Sequence, residues 1–477
     1  MIKKLFWIWA SLAIMAAFPI SCTPSDPNEE NNQQEENQQQ EEPEELEPFA
    51  YSVKSGADNY IFQGRPVFTL HLENPNPVAA TADITFSILT DKGKKHTSLS
   101  FEKEVPAKGS VDLTLTSEED LAPGFYKATG KVGRKYYLSA KPFGVDPFQI
   151  ESLPDMNGDF NDFWEDAYNQ LKDIDLNVNF IKTKRDGTYM VEMQSIPDGT
   201  GGEPMIIRGY YIEPAKDGAK HPAIVHYYGY DDFPGTSMLE LPSGNSEFAH
   251  LWLSTRGQRI NARAQKLRQD GIDMDFVNPY DKQWFTVNFG DLDSYYYRGA
   301  YMDCVQGIRF LALCQDEKVK GRIDMDNVFV EGMSQGGAFS YAAASLSKEY
   351  PVRAVAAAVA FMGDFPDYFT IVPNEGGGFP SMAQNCKKKL GWTDEQMYSF
   401  MSYFDTKNLA TGISCPIIAC IGLLDNICPP HTNIAPYNNA LTPGSDKQMT
   451  FYPEMGHAYP NGWDSAYINF FKSYMAK

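Results

Sequence analysis

Two rhythms of apolar and polar positions divide the chain. From about Tyr51 to Val145 the pattern alternates: Phe68, Leu70 and Leu72 against Val67, Thr69 and His71, then Ile84, Phe86 and Ile88, then Val111, Leu113 and Leu115. Period two, broken by turn signals at NPNP, DKGK and APG, predicts short antiparallel strands that close into a β-sandwich. After PFGVDP the rhythm changes. Phe160, Phe163, Trp164, Ala167 and Leu171 form a helical stripe, with Asn157 or Asp159 placed to cap it. Tyr301, Val305, Ile308 and Ala312 repeat at helical spacing, as do Trp463, Ala466, Tyr467, Phe470 and Tyr474. Between these stretches stand short runs that are apolar throughout, HPAIVHYYG, NVFVEG and SCPIIACIGLLD. Strands without alternation, separated by helices, predict a mostly parallel sheet covered on both faces, whose reactive groups gather at the carboxyl ends of the strands.

The beginning of the chain fits neither rhythm. MIKKLFWIWASLAIMAAFPISC has two lysines, an apolar stretch too short for a bilayer span, then small residues before Cys22. It is similar to a bacterial lipoprotein signal, which implies lipidation of Cys22 and anchorage of an exported protein to the outer membrane, although Pro19 stands where an aliphatic residue is usual. From Pro24 to Glu47 there follow ten acids and no base, an expected disordered spacer that carries much of the formal charge of -21. The expected organisation is a signal over 1–21, an acidic linker over 22–48, a β-sandwich over 49–147 and an α/β domain over 148–477. An acidic chain without a basic cluster excludes nucleic acid as a partner. The stretch LAPGFYKATGKV resembles late strands of immunoglobulin-like domains; such a module serves as a spacer or packing element, or binds glycans.

The six remaining cysteines show no regular spacing and are expected to be buried free thiols. No CxxC or HxxxH spacing occurs, so neither a metal nor a cofactor is expected.

One motif carries chemistry. Gly332-Met333-Ser334-Gln335-Gly336 lies between a predicted strand and a predicted helix. In such a G-x-S-x-G turn neighbouring side chains would collide with the backbone, and the turn lifts the serine hydroxyl above the sheet. It leaves the N–H of Gln335 at a helix start beside the same space. Serine needs a base to take its proton and an acid to orient that base. Two histidines follow Ser334. His457, after a predicted strand and before the last helix, is favoured as base; His431 starts a helix behind the candidate acid and is expected to be a surface or capping residue. Asp425 closes SCPIIACIGLLD and is favoured as acid over Asp405 and Asp446, both expected to be solvated.

At this point GMSQGG, TRGQ (255–258), LLDNICPP and YPEMGH resemble the acetylxylan esterase and cephalosporin-C deacetylase group, carbohydrate esterase family 7. The likeness runs from DFNDFWEDAYNQL to the carboxyl terminus and covers none of the sandwich. It implies an α/β-hydrolase fold with Ser334 as nucleophile, His457 as general base then acid, and Asp425 holding His457 in its productive tautomer. It further implies an oxyanion hole from the N–H groups of Gln335 and Tyr230, with Arg256, Gly257 and Gln258 supporting the site's architecture; a surface ion pair is the alternative for Arg256 and Gln258. Two departures stand out: Ala458 where the family has glutamate, and the sandwich itself. The family's ring-like homo-oligomers are a further implication, against which an added domain and a tether both work. The expected activity is removal of acetyl groups from acetylated xylan or xylo-oligosaccharides through an acyl-serine. The alternatives are a secreted serine peptidase of the same fold and a tethered glycan-binding protein with a silent triad.

Overall fold

The computed structural model describes residues 46–230, 241–258, 260, 270–272, 278–372 and 378–476. The signal, Cys22 and nearly all of the acidic linker lie outside the described residues. Glu47–Lys477 forms one compact unit.

Its front part holds two sheets. β1 (Ala50–Ser55), β3 (Val67–Glu73) and β6 (Ser110–Thr116) make a three-stranded sheet in the order β1-β3-β6. β2 (Ile61–Phe62), β4 (Ala80–Thr90), β5 (Lys95–Val105), β7 (Gly124–Val132) and β8 (Lys135–Val145) make a five-stranded sheet in the order β2-β8-β7-β4-β5. The alternation has its cause here: Phe68, Leu70 and Leu72 of one sheet face Ile84, Phe86 and Ile88 of the other in one buried cluster, while the intervening residues turn outward.

Behind it stands a nine-stranded sheet in the order β17-β16-β15-β14-β12-β13-β11-β10-β9. β12 (His221–Tyr227), β13 (Ala249–Ser254), β14 (Ile323–Met333), β15 (Ala354–Ala358), β16 (Ile417–Gly422) and β17 (Lys447–Tyr452) run parallel. β9 (Asn179–Lys182), β10 (Thr188–Ser195) and β11 (Met205–Ile212) extend the sheet antiparallel. Both faces are covered. Val225, Val330 and Val355 pack in the cluster that includes the helices Tyr296–Leu313 and Gln335–Leu346, whereas Ile224, Phe329 and Ile418 pack in the cluster of Trp463, Phe470 and Phe471 from the last helix. The helical stripe beginning at Phe160 becomes the helix Phe160–Lys172, with Asp159 at its amino-terminal cap position but no side-chain capping bond.

The front sheets also touch the nine-stranded part. Phe125 of β7 is buried in the large core against Phe451 of β17, and Phe148 meets both Phe451 and Tyr437. The six described cysteines are free thiols, four of them buried and Cys386 and Cys415 only partly so.

Candidate active site

The strand β14 runs directly into the helix Gln335–Leu346, and Ser334 at the junction takes φ 60°, ψ −122°. A serine pays a steric cost in that conformation, and it persists because the surroundings leave no alternative. A Cβ on Gly332 would lie 2.4 Å from the Gly336 backbone, and one on Gly336 would lie 2.1 Å from the Tyr227 carbonyl oxygen. The elbow is held by backbone bonds from Ser334 N–H to the Ala358 carbonyl and from Phe361 N–H to the Ser334 carbonyl.

Asp425 follows β16 by three residues, and His457 follows β17 by five. Because β16 and β17 are neighbours, both residues emerge at the same end of the sheet as Ser334. His457 Nε2 lies 3.0 Å from Ser334 Oγ, and Nδ1 lies 2.8 Å from Asp425 Oδ2. The other carboxylate oxygen, Oδ1, accepts the N–H groups of Ile427 at 2.9 Å and Cys428 at 2.8 Å. The Asp425 side chain is fully enclosed. A carboxylate so placed fixes a proton on Nδ1 and leaves Nε2 as the acceptor that faces the hydroxyl.

Gln335 is the first residue of its helix, so its N–H has no partner within the helix. Its buried side chain donates to Tyr297 Oη, and its contribution toward the site is therefore the backbone. Tyr230 follows β12, its ring against Trp284 and Phe379. Gln258 Nε2 donates to the Gly229 carbonyl at 3.0 Å. In a trans peptide the carbonyl and N–H point in opposite directions, so that bond also sets the direction of the Tyr230 N–H.

Arg256 is not a surface residue. It is 1% exposed, donates from Nε and Nη2 to both carboxylate oxygens of Asp303 at 2.9 and 2.8 Å, and from Nη1 to Asp198 at 2.8 Å. Burial opposes its charge, but Asp303 and Asp198 more than restore it. Its backbone N–H donates to Asp303, and its carbonyl accepts from Tyr296 Oη. Gly257, at φ +82°, then turns the chain so that Gln258 reaches Gly229.

Two expectations are corrected. His431 is neither a surface residue nor a cap: Nε2 lies 2.8 Å from Asp367 and Nδ1 3.3 Å from Asp91 of the front sheet. Burial opposes its protonation, yet Asp367 and Asp91 raise its pKa to about 9. Asp405 is buried and accepts the backbone N–H groups of Asp364, Phe365 and Lys407, and burial lifts its carboxyl to about 7 against the pull of Lys407. Sequence reasoning also passed over the rings of Phe361 and Phe379, 4.4 Å apart, which with Tyr230 adjoin the elbow. Phe361 stands in a loop and Phe379 at the first position of the helix Phe379–Leu390, so neither belongs to a periodic apolar run.

The family model for acetyl xylan esterase (AXE1) matches residues 150–475. Acetyl esterase Axe7A of Xylanibacter ruminicola is 27% identical over 351 residues, 71% of this chain and 74% of the relative. The crystal structure of acetyl xylan esterase 1 from Thermoanaerobacterium sp. JW/SL YS485 is similar at a TM-score of 0.55 and 21% identity, over 69% of this chain and 98% of that one. The acetyl xylan esterase from Paenibacillus sp. R4 is similar at a TM-score of 0.55 and 25% identity, over the same shares.

Proposed function

The chain belongs to the acetyl xylan esterase family, and we propose that it removes acetyl groups from acetylated xylan or xylo-oligosaccharides with Ser334, His457 and Asp425 as its catalytic residues. The observation that carries this reading is the unbroken relay from Asp425 Oδ2 through His457 to Ser334 Oγ. Membership makes the enzyme a carboxylic ester hydrolase, and no observation favours the peptidase or a silent triad.

In the acylation step Ser334 Oγ attacks the acetyl carbonyl carbon as its proton passes to His457 Nε2. The imidazolium is stabilised by Asp425, which stays ionised. The carbonyl oxygen becomes an oxyanion that accepts from the N–H groups of Gln335 and Tyr230, donors whose combined contribution is several kcal/mol of barrier. Collapse breaks the bond to the sugar oxygen, which leaves with the proton from Nε2. Water, deprotonated by the same nitrogen, then attacks the acetyl-serine; collapse breaks the bond to Ser334 Oγ, which takes the proton back from Nε2, and acetate is released. Ala458 removes a side chain beside the base, yet His457 keeps both of its partners.

The test is acetate release from p-nitrophenyl acetate and from acetylated xylo-oligosaccharides. The wild type should be active on both and Ser334→Ala on neither; undiminished turnover by that variant would refute the assignment.

The remaining organisation belongs to the same proposal. The two facing sheets with their shared core support an immunoglobulin-like sandwich over 49–147 ahead of the hydrolase domain at 148–477. The lysine-led apolar leader and Cys22 support an exported protein held to the outer membrane by lipid, with the acidic segment as its spacer.

A further inference from the structure

The front module supplies one wall of a cleft that opens beside the loop carrying Asp425. The cleft measures about 680 Å³, within the range of ordinary ligand sites. Tyr126, Lys127 and Pro142 line it from the front sheet, and Ile371, Leu424 and Asn426 from the hydrolase. The alternation of β7 explains how Lys127 comes to be there. Residues two apart share a face of a strand, and Phe125 is already buried in the hydrolase core, so Lys127 is turned toward the same side.

That wall is fixed in place. Lys92, at the tip between β4 and β5, pairs with Asp367; Asp91 meets His431; and Lys141 of β8 pairs with Glu454, three residues before His457. These contacts also account for the charges at the cleft. Of the charged residues that line it, Asp91 is matched by His431, Lys92 by Asp367 and Asp425 by His457, whereas Lys127 has no carboxylate partner among the described residues. Lys127 is thus the charged side chain of the lining left to meet an anionic group of a ligand. The apolar part of the lining includes Leu424, 44% exposed, and Pro142, surfaces that suit the flat face of a pyranose ring, while Asn426 offers both a donor and an acceptor. Asp91 and Lys127 lie outside residues 150–475, so this wall comes from the part of the chain that the family match does not include.

We propose that this cleft binds the sugar chain of the substrate and that Lys127 receives the carboxylate of a uronic acid substituent, giving the enzyme a preference for acidic over neutral acetylated xylo-oligosaccharides. The inference rests on the deacetylase reading above.

Two measurements test it. The first compares kcat and KM on acetylated xylo-oligosaccharides with and without a uronate, for the wild type, Lys127→Ala and Lys127→Arg. The wild type should favour the acidic substrate by up to about fivefold in kcat/KM, the size of one solvent-exposed ion pair. Lys127→Ala should bring that ratio close to one by raising KM for the acidic substrate, and Lys127→Arg should keep it. Equal use of both substrates by the wild type, or an equal loss on both in Lys127→Ala, would overturn the proposal. The second is calorimetric binding of deacetylated xylo-oligosaccharides, with and without uronate, to Ser334→Ala. Tighter binding of the acidic one, lost on adding Lys127→Ala, supports the cleft; equal binding of both overturns it. This titration decides the question even if the wild type releases no acetate from any ester, a result that would strike the esterase reading instead.

Discussion

Replacing Asp425 with asparagine tests whether the carboxylate works by fixing a tautomer. The two oxygens of Asp425 are not equivalent: Oδ1 accepts two backbone N–H groups, from Ile427 and Cys428, and Oδ2 faces His457 Nδ1. An asparagine in the same rotamer must set its carbonyl oxygen against the two N–H groups, because turning its NH2 there would oppose donor to donor. The NH2 then confronts Nδ1 at about 2.8 Å, and the imidazole responds by accepting on Nδ1 and carrying its proton on Nε2. From there it donates to Ser334 Oγ and can no longer take the serine proton. In a serine protease the equivalent change lowers kcat about 10⁴-fold with the geometry intact, which corresponds to roughly 5 kcal/mol of barrier. The same order is expected for Asp425→Asn in steady-state hydrolysis of p-nitrophenyl acetate near neutral pH. The side chain keeps its shape and its backbone partners, so the thermal midpoint should stay within about 2 °C, the shift that roughly 1 kcal/mol produces in a unit of this size. Retention of a tenth or more of the parent kcat in the folded variant would refute the reasoning.

Two further outcomes follow from the contacts around the triad. The folded pKa of His431, about 9, stands above its unfolded value of 6.5, so its stabilisation is complete below about pH 6.5 and is lost as pH rises through 9. The loss is up to about 3 kcal/mol, shared with Asp367 rather than added to it. Thermal melts should fall across that window for the wild type, and His431→Gln should lack that component; identical profiles would contradict the assignment. Gln258→Ala frees the Gly229–Tyr230 peptide and should lower kcat on p-nitrophenyl acetate about tenfold or more with KM nearly unchanged, since a misdirected oxyanion donor costs up to 10²–10³. An unchanged kcat would separate Gln258 from the site.

Much of the site was legible because local rules govern it. The glycines around Ser334 announce a turn that only they permit, and the apolar runs ahead of Ser334 and Asp425 announce the parallel strands that deliver them. The alternation at Phe68–Leu72 and Ile84–Ile88 likewise declared facing sheets. What stayed hidden depends on distant partners. His431 looked like a residue at a helix start because Asp91 lies 340 positions earlier and Asp367 on another helix. Asp405 looked solvated because its three backbone donors are visible only once the chain is folded. Arg256 left a surface pair open until Asp303 and Asp198 were seen to enclose it. Gly209 and a mix of polar residues blurred β10 and β11, whose antiparallel extension of the sheet was not foreseen.

The packing of Phe125 against Phe451 has a bearing on engineering. An aromatic from the front sheets sits inside the catalytic body's own interior, and Lys141 leans on the segment that leads to the base. The front sheets are thus part of its masonry. Cutting the chain back to 150–475 would bare Phe451 and leave the carboxylate of Glu454 without its counterweight, so the smallest self-sufficient unit of this protein reaches beyond the span that the family model matches.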